Sequence, residues 1–160
     1  MMPLTWLIGL VFPACAAPGV QGLPDPILTD MTHIERPASP NTALAGPPGF
    51  QPEPDFATPP YRLSAPRLYA ALRTLAAAQP RTFLAAEYPA ELQIHWVVRS
   101  GILNFPDLVT AQIMAEGQDG STLVLYSRSV YGYSDFGVNR QRVTTWLAAL
   151  RTLLNRPDER

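Results

Sequence analysis

Most of the eighteen prolines in this chain precede Leu63, and that distribution decides where a packed fold can form. Pro47-Pro48-Gly49, Pro52-Glu53-Pro54 and Pro59-Pro60 remove backbone donors, forbid regular helix and interrupt strand ladders. Residues 19–60 are therefore expected to form an extended Pro-rich arm, and residues 61–156 the folded domain, followed by a short tail, 157–160. The arm is no simple spacer. Ile27, Leu28, Met31, Ile34, Leu44, Phe50, Phe56 and Tyr61 give it more apolar side chains than a solvated linker carries, so it should lie partly on the domain surface. A chain of 160 residues has room for one domain plus such an arm.

Past the arm, periodicity becomes readable. Ala65–Gln79 predicts a helix: Ser64 suits the N-cap, Pro66 the first turn, and Leu68, Leu72 and Leu75 recur at helical spacing until Pro80. Four strands are predicted next, at 82–88, 91–99, 107–115 and 122–130. In the second, Leu92, Ile94, Trp96 and Val98 face one way and Gln93, His95, Val97 and Arg99 the other. In the third, Val109, Ala111 and Ile113 form the inner set. Short links such as Gln118-Asp119-Gly120 imply an antiparallel meander. A last helix carries Val143, Trp146, Leu147, Leu150, Leu153 and Leu154 on one face and meets stop signals at Asn155 and Pro157. The expected fold is α+β: a two-layer sandwich of a four-stranded antiparallel meander with one helix before it and one after. The sheet's second face would carry the polar alternates unless the arm covers it.

Residues 1–18 read as an export leader. Leu4–Ala17 is an apolar run broken only by Thr5, Gly9 and Pro13, and no charged side chain precedes Asp25. The run is shorter than the ~20 residues of a membrane span and fits the ~7–15-residue apolar region of a signal peptide. Ala14-Cys15-Ala16 has the small-x-small form of a cleavage site. Phe12-Pro13-Ala14-Cys15 also resembles a bacterial lipobox, which would make Cys15 a lipidation site. Both versions place the domain in the periplasm or anchored facing it, with the membrane met only through the leader.

The densest cluster of unexplained residues is Tyr131-Gly132-Tyr133-Ser134-Asp135-Phe136-Gly137-Val138-Asn139-Arg140-Gln141-Arg142-Val143, which joins strand to helix. Neither periodicity accounts for its glycines, Ser-Asp pair, Asn and arginines. This stretch resembles the signature of the bacterial "domain of unknown function 1499" family. Ser39-Pro40-Asn41 is similar to the element that precedes the core in the same family, with Thr42 where many members have Cys. The resemblance runs from about Arg36 to Leu153 and implies no activity. It implies an Arg at the position of Val130; Arg128, two residues earlier on the same strand face, can replace it. It also makes Arg99 and Asp107 second-rank site residues, which could instead pair with each other across the sheet.

The chemistry open to these residues is narrow. A net charge of −1 argues against nucleic acid. The single cysteine allows no internal disulfide, and no phosphate loop, dinucleotide fingerprint or metal-ligand spacing occurs, so no cofactor is expected. Every cation is an arginine or a terminal amine, and arginine is suited to carboxylate or phosphate. Arg140 and Arg142 in a helix's first turn oppose its dipole and therefore call for an anion. Asp135 could supply it and cap the helix, or an external ligand could. The expected function is non-enzymatic binding, in the envelope, of a protein partner or small anionic ligand at residues 128–142. The site residues are Arg128, Tyr133, Ser134, Asp135, Asn139, Arg140 and Arg142, with Arg99 and Asp107 behind them. The alternatives are an envelope hydrolase using Ser134, Asp135 and His95, and a purely structural lipoprotein domain.

Overall fold

The computed structural model describes residues 13–155, so the apolar run of residues 4–12, Pro157 and the tail lie outside the described residues. The meander expected from alternation is present: β3 (Thr82–Tyr88), β4 (Gln93–Arg99), β5 (Pro106–Glu116) and β6 (Gly120–Ser129) pair antiparallel in succession. The sheet is larger than expected. The arm adds β1 (Thr42–Gly46), antiparallel to β6, and β2 (Phe56–Ala57), parallel to β1. The result is a mixed six-stranded sheet in the order β2-β1-β6-β5-β4-β3. The four-stranded sheet is thus corrected to six, because β6 would otherwise leave a row of unpaired backbone groups along its outer edge.

Helices α1 (Ala65–Ala77) and α2 (Val138–Leu154) cover one face of this sheet. Ser64 holds the N-cap position of α1 without a side-chain cap bond, and Pro66 occupies the first turn. Leu68, Leu72 and Leu75 meet Ile94, Val109, Ile113, Leu123 and Leu125 from the sheet and Val143 and Leu150 from α2. Trp96 and Trp146, each 3% exposed, close this core edge to face, with ring centroids 5.5 Å apart and planes at 80°.

The second face is buried too. Every residue of β4 is buried, including Gln93, His95 and Arg99. Residues 14–37 run across it, and Met31 of the arm packs with Leu44, Val124 and Tyr126 in a smaller core of its own. A short helical turn, Pro13–Ala16, begins this segment, and a 3-10 turn, Met31–His33, lies within it. Among the described residues, no helix is long and apolar enough to cross a membrane.

Because Trp146 is almost fully enclosed, Trp146→Ala should cost ~3–5 kcal/mol through lost burial and a residual cavity. Denaturant unfolding measures this, and a loss under about 1 kcal/mol would mean that α2 does not seal the core.

Candidate functional site

The strand–helix joint is built around one amide. Asn139 in the first turn of α2 is 0% exposed. Its Nδ2 lies 3.0 Å from the Asn41 carbonyl, 2.9 Å from Ser129 Oγ and 2.7 Å from Asp135 Oδ2. Its Oδ1 accepts from Ser127 Oγ at 2.5 Å and from Arg142 Nη1 at 2.6 Å. Asn41 donates in turn to the Gly132 carbonyl at 2.6 Å and accepts from Ser39 Oγ at 2.7 Å. The Ser-Pro-Asn element and the joint are therefore one network across β1, β6 and α2.

Asp135 caps the helix. Its carboxylate accepts from the backbone N–H of Gly137 at 3.0 Å and of Asn139 at 2.7 Å, where the helix dipole favours negative charge. Gly132 and Gly137, at φ 86° and 82°, supply the left-handed turns that aim it there. The expected Asp135–arginine pair does not form, because these N–H groups and the Asn139 amide occupy its oxygens. Arg142 instead reaches back to β5, with Nη2 2.6 Å from Asp107 Oδ2, in a pair whose side chains are 10% and 8% exposed. Arg140 turns the other way, 3.1 Å from Asp55 Oδ1 and stacked 4.8 Å above the Phe56 ring. Asp55 also holds Arg36 Nη2 at 2.6 Å and the Leu44 N–H at 2.8 Å, which ties β1 to the arm.

Arg99 and Asp107 do not pair with each other. The buried Arg99 guanidinium has no acidic partner among the described residues and is held by carbonyls: Gly19 at 2.7 Å, Ala14 at 2.5 Å, Gln21 at 2.9 Å and Asn104 at 3.1 Å. Asn104 donates to the carbonyls of Cys15 at 2.8 Å and Ala17 at 3.0 Å. Residues 14–21 are thereby clamped to the end of β4. Cys15, the lipidation candidate, is 2% exposed, and burial pushes its thiol pKa up against the opposing pull of Arg99.

His95 lies beneath the arm. Its Nε2 is 2.7 Å from Gln93 Oε1 and its Nδ1 3.1 Å from Thr110 Oγ1. Ser134 and Asp135 bond within their own loop, so the structure does not bring the three hydrolase candidates together. Gln93 is a clamp that alternation alone did not reveal: it accepts from the Thr29 N–H at 2.8 Å and donates to the Thr29 carbonyl at 2.7 Å. Tyr88 fixes the arm again at the Pro26 carbonyl, 2.8 Å away.

Between arm and sheet lies an open cleft of about 810 Å³. Val97, Leu108, His95 and Thr110 form its floor, Leu23 and Ile34 of the arm its roof, and Arg128 and Tyr126 stand at the β6 side. The guanidinium of exposed Arg128 makes no hydrogen bond or ion pair with a described residue. The Tyr126 hydroxyl is buried without a hydrogen-bond partner among the described residues. Burial pushes its pKa up, while Arg128, Arg36 and a Thr42 hydroxyl outside bonding geometry pull the other way. Among the described residues no cluster of His, Cys, Asp or Glu could hold a metal ion. Tyr126, Gln93 and Asp55 carried no motif; only their place in the fold marks them.

Two measurements follow from this geometry. Asp107→Asn should cost ~3–5 kcal/mol, since it strands a buried guanidinium, whereas Arg140→Ala, at a half-exposed pair, should cost under ~1 kcal/mol; equal losses in denaturant unfolding would refute the ranking. Burial lowers the His95 pKa below its ordinary 6.5, so the unfolded chain takes up the proton first. Stability contributed above pH 6.5 should therefore fall as pH drops through 6.5 towards the folded pKa. The unfolding midpoint of His95→Gln should slope less over that window than that of the parent chain.

Comparison with known proteins adds the following. Ara h 8.0201 aligns at a TM-score of 0.46 and 10% identity, over 61% of this chain and 94% of that one. The di-domain ARO/CYC BexL from the BE-7585A biosynthetic pathway aligns at 0.44 and 14% identity, over 60% of this chain and 44% of that one. TTHA0849 from Thermus thermophilus aligns at 0.36 and 12% identity, over 71% and 93%. At these scores the likenesses are partial. No curated protein matches the chain. The family model described as "Protein of unknown function (DUF1499)" matches residues 32–150, which takes in Asn41, Asp107 and the whole strand–helix joint, and the chain belongs to that family.

Proposed function

We propose that this protein is a non-enzymatic binding domain of the bacterial envelope, and that it holds a small amphipathic anion in the cleft beneath its arm. The carrying observation is the cleft itself. Its volume of about 810 Å³ falls within the ~300–1,000 Å³ of small-molecule sites. Val97, Leu108 and Ile34 offer an apolar bed, and Arg128 offers a guanidinium in no ion pair with a described residue, while the lining carboxylates Asp25, Asp30 and Glu35 all belong to the arm. Tyr126 adds a hydroxyl whose buried donor has no partner among the described residues, a condition that costs ~1–3 kcal/mol until something accepts from it.

Within residues 128–142, this reading moves the anion from the helix start to the sheet side. Arg140 and Arg142 are engaged with Asp55 and Asp107, while Arg128 alone of the three arginines faces the cleft. The envelope location draws its support from the apolar leader and the absence of charge before Asp25.

Titration with a medium-chain alkyl carboxylate, followed by displacement of an anionic fluorescent dye, tests the proposal. Arg128→Ala should weaken binding about tenfold, the equivalent of ~1.4 kcal/mol. Leu108→Trp should fill the floor and abolish binding. Equal affinity for the carboxylate and the corresponding neutral alcohol, unchanged by Arg128→Ala, would refute an anion site.

A further inference from the structure

The end of the sheet opposite the β5–β6 hairpin carries apolar side chains that the fold holds outward. Ile102 is 84% exposed, Tyr133 74% and Phe136 97%. They sit on two adjoining loops: β4 leads into residues 100–105, β6 into 130–137, and the Val130 N–H bonds to the Pro106 carbonyl at 3.2 Å. These are not slack tips. Phe136 has φ 54°, a backbone region that a bulky side chain rarely adopts, and it is fixed between Asp135 and Gly137 by the helix cap. Asn104, at φ 55°, is pinned by its bonds to Arg81, Cys15 and Ala17. A strained backbone that turns a phenylalanine fully into water calls for a second phase to receive it.

The same end receives the N-terminal segment. Arg99 and Asn104 hold the carbonyls of Ala14, Cys15 and Ala17 beside the 100–105 loop. The residues just before, Leu4–Phe12, are apolar in sequence apart from Thr5 and Gly9. The two loops themselves carry almost no charge, and the neighbouring cation, Arg81, is bonded to Asn104 and to the Arg99 carbonyl. Residues 100–106 contain no charged side chain, and 130–138 contain only Asp135, whose carboxylate is already used by the cap.

We infer that this end is a membrane-facing surface, and that Ile102, Tyr133 and Phe136 enter the interfacial layer of a lipid bilayer beside the point where the N-terminal segment docks. Aromatic and aliphatic side chains partition into that layer, and tyrosine is enriched there because its hydroxyl stays at headgroup level. With no cation on either loop, contact rests on apolar burial and needs no anionic lipid. The surface is independent of any ligand in the cleft and gives the domain a fixed orientation, with its hairpin tip pointing away from the bilayer.

The test uses the full chain reconstituted into phosphatidylcholine vesicles, with Cys15→Ser removing the buried native thiol. A polarity-sensitive fluorophore is attached at Phe136→Cys, Ile102→Cys or, as the distal control, Asp119→Cys in the β5–β6 turn. At positions 136 and 102, doxyl-labelled lipid should remove at least about half of the emission, while aqueous iodide has little effect, in low and in high salt alike. Position 119 should show the reverse. A second variant, Ile102→Asp with Phe136→Asp, labelled at Tyr133→Cys, should lose the lipid quenching while its thermal midpoint stays unchanged. Iodide quenching at positions 102 and 136 in vesicles would overturn the proposal and leave these tips as a site for protein. Quenching by lipid that vanishes in high salt would also overturn it, since charge and not apolar contact would then hold the surface.

Discussion

Everything at the strand–helix joint of this molecule depends on burying one neutral amide, that of Asn139. A side chain with two donors and an acceptor, fully removed from water, must satisfy each of them within the protein or cost several kcal/mol. Here the partners come from the arm (Asn41), from β6 (Ser127 and Ser129), from the joint (Asp135) and from α2 itself (Arg142). No single element can move without stranding a polar group in the others. The amide thus fixes the start of β1, the end of β6 and the first turn of α2 relative to one another. The ion pair of Arg142 with Asp107 extends the same constraint to β5.

This network explains how two arginines can sit within the first five residues of a helix. Their charge opposes the helix dipole, but each is directed away from the axis to a carboxylate fixed elsewhere, and Asp135 neutralises the terminal N–H groups directly. The two pairs differ in weight. The Arg142 pair is enclosed and hydrogen-bonded on several sides, so loss of one partner is severe; the Arg140 pair is half in solvent and serves mainly to gather Asp55, Arg36 and Phe56 at the β1 edge.

The sequence was legible where periodicity is strong. The first helix, expected over Ala65–Gln79 and ending at Ala77, the four meander strands and the inward set of Ile94, Trp96, Val98, Val109, Ala111 and Ile113 all follow from spacing alone. Thr42–Gly46 was not legible as a strand: Thr-Ala-Leu-Ala-Gly is short, made largely of small residues and hemmed by prolines, and it is a strand only because β6 offers it an open edge. Asp135 could be placed at the helix start by electrostatics. Its lack of an arginine partner could not, because Asp55 and Asp107 compete for those cations from positions 80 and 28 residues away from it in sequence. The cleft was invisible for a similar reason, since its roof and floor are far apart in the chain and meet only when Gln93, Tyr88 and Arg99 draw the arm across the sheet.

The position of β1 has a consequence for how the chain comes to rest. Asn41 and Asn139 are 98 residues apart, and β1 pairs only with β6 and the two-residue β2. The arm is made before its seat exists. Until β6 and the first turn of α2 are in place, residues 42–46 have no sheet edge to join, and the Asn41 carbonyl has no Asn139 amide to receive it. Docking of β1 must therefore be a late, long-range closure, governed by the loop entropy of nearly the whole domain. Synthesis or transport that proceeds from the N-terminus therefore leaves β1 exposed throughout and captures it at the end, so the edge of β6 is the last part of the sheet to be covered.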